Sequence, residues 1–317
     1  SANHCRQSSY LKEHSAFWLN LLNQYIEFAD TPDRYRQKAI YEFLWLSLRP
    51  EWLKEPDGSL IGLNHLIEKY FSDASKFYDH EAIEDNFSLL QIVRASIIMG
   101  KSDLQMEKTN DWIKEIGLII NTKVESIENA NEKCYWLELQ TGYLSNPLDE
   151  QGKHFDTDKI FQSYEKLIQL LPEAPLYNVT RLSDRLNQFI KIYIQVGAND
   201  KYVDSLEELA DKLMPFVSDR SGNHKLAKTY VDRGVKYLHT TNPHHLAKAL
   251  DYFHKAKDLW LQGETGEGYV LSLLNISQLY SALNMNFAAK YYALSAAWFS
   301  INNNPEKLAK RIANSFG

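Results

Sequence analysis

Apolar residues recur along this chain at steps of three and four. Within 8–29 they are Phe17, Trp18, Leu21, Leu22, Tyr25 and Phe28, which mark one face of a helix. Thr31-Pro32-Asp33 interrupts the pattern, and Arg34–Leu48 resumes it through Ala39, Ile40, Phe43, Leu44 and Leu46 up to Arg49-Pro50. Proline is cheap at a helix start, because the N–H it lacks would have no partner there, and it disfavours the α conformation in the residue before it. The same alternation predicts further helices near 59–78, 81–99, 103–121, 131–145, 157–171, 177–196, 200–216, 224–240, 244–261, 267–283, 286–301 and 304–315, about fourteen in all. Ser59, Asp103, Asp156 or Thr157, and Asn304 before Pro305 are the expected N-caps. No stretch alternates strictly and no hairpin dipeptide lies between β-branched runs, so the expected class is all-α.

Helices of this length on short links form antiparallel hairpins, and a pattern repeats across them. Trp18, Leu21 and Tyr25 are followed in the next helix by Ala39, Phe43, Leu46 and Pro50; Trp136, Leu139 and Tyr143 by Ile160, Tyr164, Leu167 and Pro172. Weaker copies are Leu186, Phe189 and Tyr193 with Val203, Ala210 and Pro215; Gly234 and Tyr237 with Ala249, Phe253 and Ala256; and Ser277 and Tyr280 with Ala288, Tyr292 and Ser295. Ala313 and Phe316 begin a sixth. Pro50, Pro172 and Pro215 are expected to end second helices. These residues resemble the tetratricopeptide repeat, best in 246–256, although the copies are spaced by roughly 36 to 50 residues instead of about 34. The resemblance implies a right-handed superhelix (solenoid) of antiparallel hairpins. Small residues would let paired helices approach and aromatics would fill the groove to the next pair. The expected organisation is a tag scar or disordered start over 1–7, a degenerate hairpin region over 8–130, and a repeat array over 131–317, the whole being a piece of a larger protein.

Composition sharpens this picture. The chain has 317 residues but only 13 Gly and 9 Pro, well short of average usage, which disfavours turn-rich β folds and flexible linkers. Its net charge of −6 is too small to mark the whole chain as a nucleic-acid or membrane binder. The charge is unevenly placed: residues 223–317 hold 11 Lys+Arg against 6 Asp+Glu, a net +5 that leaves −11 for 1–222. Cys5 and Cys134 give no disulfide framework, so a reducing, cytoplasmic setting is expected, and no apolar run is long enough to span a membrane.

Catalytic and metal motifs are fragmentary. Gly100-Lys101-Ser102 lacks the upstream glycine of a phosphate loop, and His80-Glu81-x-x-Glu84 lacks the second histidine of a zinc helix. His239, His244, His245 and His254 place four possible nitrogen donors around one turn, but adventitious metal there is a more ordinary reading than a functional site. Adjacent acids such as Asp149-Glu150 and Glu207-Glu208 point apart on a helix. Asn178-Val179-Thr180 and Asn275-Ile276-Ser277 are glycosylation sequons only in a secreted chain. The expectation is a non-catalytic protein or peptide scaffold with no cofactor and no metal. The resemblance implies a concave groove lined by first helices, at Lys228, Val231, Val235, His239, Leu274, Gln278, Ser281, Lys310 and Asn314. Asn275 with Lys307-x-x-x-Arg311 matches part of a carboxylate clamp, with Val231 and Val235 where its Lys and Asn would stand. An acidic protein or peptide at the C-terminal repeats is the favoured partner. Nucleic acid is disfavoured because Tyr230, Tyr237, Tyr252, Phe253, Tyr291 and Tyr292 sit at core spacings. Two other readings stay open: a peptide-sensing module of a signalling protein, and an enzyme on an α/α array, which requires ionisable side chains converging in a closed cavity.

Overall fold

The computed structural model describes residues 15–48, 63–74, 79–100, 102–145, 157–195, 200–238, 242–262 and 266–303. Among these there are twelve α-helices and no strand. In chain order they are α1 (Ser15–Glu27), α2 (Asp33–Leu48), α3 (Asn64–Ala74), α4 (His80–Ile98), α5 (Met106–Ser126), α6 (Ala130–Leu144), α7 (Thr157–Leu170), α8 (Val179–Gln195), α9 (Asp200–Val235), α10 (Pro243–Gln262), α11 (Gly266–Ala282) and α12 (Asn286–Asn303). A 3-10 turn at Leu171–Glu173 follows α7 and contains Pro172. The expected helix over 304–315 lies outside the described residues, as do Ser59, Asp156 and Asn304. The chain divides into two compact units, Ser1–Pro175 and Leu176–Gly317.

Caps explain several helix starts. The Asp79 carboxylate accepts from the Ala82 N–H at 2.8 Å, and the Asn129 side chain accepts from the Glu132 N–H at 3.1 Å. Asn178, a sequon residue, accepts from the Arg181 N–H at 3.1 Å. Asp103 is not a cap: α5 begins after an extended Gln105 that offers no side-chain bond.

The first unit has one continuous core. Ile40 and Leu44 of α2, Ile67 and Phe71 of α3, Leu89 and Val93 of α4, Ile113 and Ile120 of α5 and Trp136 of α6 all contribute. α1 joins it through Leu22 and Ile26. Its carbonyl end is satisfied by Arg36, which donates to Phe28 O and Ala29 O at 3.2 and 3.0 Å.

In the second unit successive helices α8 to α12 pack each on the next. Two predicted helices, 200–216 and 224–240, are joined into α9. Pro215 does not end the first of them; it lies exposed inside the helix, and the break falls at Gly222, whose φ of 74° is costly for any residue with a Cβ. Small residues do set the hairpin approach. A Cβ on Gly234 would stand 2.9 Å from the Phe253 ring, and one on Gly268 2.4 Å from the Trp260 indole. Gly268→Ala is therefore expected to cost about 1–3 kcal/mol, because displacing a large ring in a packed core outweighs the gain in helix propensity. Urea unfolding, followed by tryptophan fluorescence, measures it.

Candidate interaction surfaces

Three arrangements stand out, a buried ionic network and two open surfaces. The network lies in the second unit, where Glu207 of α9 is ringed by donors. Its Oε2 accepts from Arg233 Nε at 3.1 Å and from the Tyr252 hydroxyl at 2.7 Å, and its Oε1 meets Lys236 Nζ at 2.7 Å and the Tyr237 hydroxyl. Arg233, with no exposed surface, also donates to Asp211 at 2.7 Å and lies over the Tyr252 ring at 4.3 Å. The chain's spacing assembles the ring: Arg233 lies in the last turn of α9, Lys236 and Tyr237 in the turn that follows it, and Gly222 lets that stretch fold back on the stretch carrying Glu207.

Burial alone would raise the Glu207 carboxyl, yet Lys236 and Arg233 together bring it down to about 2. Burial pushes the Lys236 ammonium down to about 8 despite its pairing with Glu207. Burial, then the Glu207 charge, raises both tyrosines. Five titratable groups thus converge, as an enzyme would require, but they are bound to one another. None of them lines either of the two open surfaces. Glu208, beside Glu207, is exposed, as two neighbours on one helix should be.

The first open surface is a cleft of about 440 Å³ in the first unit, between α2 and the start of α4. Arg34 and Lys38 stand on one wall and Asp79, Glu81 and Asp85 on the other. The walls are joined by Arg34–Asp79 at 3.4 Å and by Lys38–Asp85. Below them Gln37 donates to Tyr70 O at 2.7 Å, and the Tyr70 hydroxyl donates to Asn86 at 2.6 Å.

The second surface is the outer side of α12. Its inner side packs Ala289, Tyr292, Ala296 and Phe299 against α11. The outer side carries Phe287, Tyr291, Leu294, Trp298 and Ile301 at steps of four and three, each between 64 and 92% exposed. Tyr291, Leu294 and Trp298, with Tyr269, Ser295 and Phe299, border an aromatic groove of about 380 Å³. Tyr291 was expected in the core on spacing; it is exposed because its neighbour Tyr292 takes the inward position, stacked 5.4 Å from Tyr280.

Of the residues singled out by sequence, Lys228 is exposed on α9, one turn from the exposed Asp232. Asn275, half-buried, and Gln278 and Ser281, both exposed, follow one another along α11. Leu274 belongs to the core and Val231 packs against it, so neither lines an open face. His239, Lys307, Lys310, Arg311 and Asn314 lie outside the described residues. Of the histidines near the α9–α10 turn, His245 rests on Tyr237 at 5.1 Å and lies 6.2 Å from His244, and His254 lies against Tyr292 at 5.5 Å. The α12 stripe and the ionic network were not anticipated. The stripe was discoverable as the complement of the packing face named for Ala288, Tyr292 and Ser295.

No family model and no curated protein matches the chain. Among solved structures, BtubC (BKLC) from P. vanneervenii aligns with 15% identity and a TM-score of 0.37, over 75% of this chain and 92% of BtubC. A circular tandem repeat protein with novel repeat topology and enhanced subunit contact surfaces aligns with 12% identity and a TM-score of 0.45, over 98% of this chain and 83% of the other. Among the described residues the chain is all-α, and within each unit helices pack on their neighbours in sequence. No described helix is long and apolar enough to cross a membrane.

Proposed function

We propose that this protein is a non-catalytic protein-binding scaffold, a right-handed array of tetratricopeptide-class hairpins, whose principal docking surface is the outer face of α12. The observation that carries this reading is the continuous stripe Phe287, Tyr291, Leu294, Trp298 and Ile301. Its exposed side chains amount to roughly 600–800 Å² of mostly apolar surface, more than a monomer ordinarily leaves bare in one patch. Aromatic anchors of this kind dominate binding energy where a partner excludes water from them. The spacing suits an amphipathic helix, which reads such a face through anchors at every third and fourth residue. The net +5 of residues 223–317 adds a preference for an acidic partner.

Affinity capture from the source cells tests this reading, with quantitative mass spectrometry comparing wild type and Trp298→Glu. A buried charge at the centre of the stripe is expected to reduce recovery of specific partners by at least about tenfold. Equal recovery by the two proteins overturns the assignment to α12. A second reading, a peptide-sensing module, is favoured by the cleft of the first unit, where exposed ion pairs of small net value can be exchanged for a peptide's own charges.

A further inference from the structure

The stripe on α12 has a counterpart on the first described helix. While Leu22 and Ile26 of α1 enter the core, Phe17, Leu21 and Tyr25 lie along the opposite side with Phe28 at its C-terminal end, 42 to 62% exposed. Resting on the reading that α12 is a docking surface, we infer that its partner is a second copy of this chain, bound through the outer face of α1. The contact is head-to-tail: α1 of one copy packs on α12 of the next.

Three observations support this pairing. The first is spacing. Read from its C-terminal end, the α1 stripe steps back by three, four and four residues, against steps of four, three and four along α12. In an antiparallel register Phe28 meets Phe287, Tyr25 meets Tyr291, Leu21 meets Leu294 and Phe17 meets Trp298. At 1.5 Å per residue the two stripes extend about 16 and 21 Å, so one covers most of the other.

The second is charge. Glu27 is the one charged residue of α1 and Lys290 the one charged residue of α12. The antiparallel register brings them to the same end of the contact. Neither face brings other charges that would have to be desolvated. Over the whole chain, −11 on residues 1–222 and +5 on 223–317 favour contact between unlike halves and disfavour contact between like ones.

The third is area. The two stripes together would bury on the order of 1,000 Å², at the lower limit for a specific interface. The association is therefore expected to be weak and concentration-dependent. Because the two faces differ, the contact is heterologous and each dimer keeps one free face of each kind.

Sedimentation of the full chain over a wide concentration range, with two blocked variants, tests this inference. One variant carries Leu21→Glu and Tyr25→Glu, the other Leu294→Glu and Trp298→Glu. Unchanged circular dichroism and melting temperature establish that each is folded, and glutamine at the same positions replaces any variant that is not. The wild type is expected to exceed the mass of two chains as concentration rises. Each variant alone is expected to remain monomeric, and an equimolar mixture to form a dimer and nothing larger, since it holds one live face of each kind.

A wild type that stays monomeric overturns the inference. So does a mixture that stays monomeric, an α1-blocked variant that still dimerises through two α12 faces, or a chain that associates only after residues 304–317 are removed from it. The proposed function fails separately. A monomeric wild type that still captures partners through Trp298 leaves the scaffold reading intact, whereas association and capture that both ignore the α12 substitutions remove it.

Discussion

Glu207→Ala is expected to destabilise the second unit by about 3–5 kcal/mol, the usual consequence of removing one partner from a buried ion pair. The loss exceeds that of the hydrogen bonds alone because of what remains. Lys236, already pushed down to about 8, can shed its proton at modest cost. Arg233 cannot, since a guanidinium stays charged throughout the accessible pH range. Its remaining carboxylate, Asp211, is 60% exposed and screened by water. Removing the cation as well, in Glu207→Leu with Arg233→Met, is expected to restore part of the stability, which urea unfolding of the three proteins measures.

The same network fixes a pH dependence. Glu207 titrates near 2 in the folded chain, against 4.5 when unperturbed, so the unfolded state binds the proton first. Stability from this group is complete above pH 4.5 and falls as pH drops toward 2, by about 3 kcal/mol in all. Lys236 acts in another window. With its folded value near 8 below the ordinary 10.5, the unfolded state keeps its proton longer, and the group's contribution to stability rises between these values. Melting temperatures across pH are expected to follow this course, with the acid decline flattened in Glu207→Ala.

In the first unit the largest effect is expected from Trp136→Ala, about 3–5 kcal/mol. The indole has no exposed surface and belongs to the same core as Ile113, Ile116, Ile120 and Leu139. Its Nε1 is 3.5 Å from Glu132 Oε1 and Lys123 Nζ lies over the ring, 6.0 Å from its centre, so two polar groups border an otherwise packed indole. Alanine leaves a cavity bounded by two helices, α5 and α6, whose approach is already fixed by Gly117 against the Tyr143 ring. The site therefore collapses poorly, which places the cost toward the upper end of the range. Hydrogen exchange is expected to accelerate in α5 and α6, and Trp136→Phe to recover about half of the loss.

How far the sequence carried these conclusions differs from feature to feature. Periodicity located the helices because each buries a stripe against a neighbour, and Gly234 opposite Phe253 shows the close approach that the repeat pattern implied. Pro215 misled because a proline on the outer side of a helix removes one N–H without displacing a packed side chain, so the helix continues to Gly222. The W-x2-L-x3-Y pattern at Trp18 leaves Leu21 and Tyr25 exposed, because Leu22 and Ile26 take the inward positions of α1. The ionic network was out of reach for another reason. Glu207 falls at a core position between Val203 and Ala210, a local hint, but its partners lie 26 to 45 residues away and only the fold unites them. In α12 apolar residues surround the helix, so periodicity alone could not say which side stays open.

The break at Gly222 bears on how such a chain changes length over time. Residues 221–224 are exposed, and nothing lies within 4 Å of where a Gly222 side chain would begin. Each helical stretch of α9 keeps its own phase on either side, so the residues facing the core do not depend on how many separate Glu207 from Arg233. A residue gained or lost here shifts neither stretch's buried face. A joint of this kind tolerates uneven lengths between helices while each helical stretch keeps its packing.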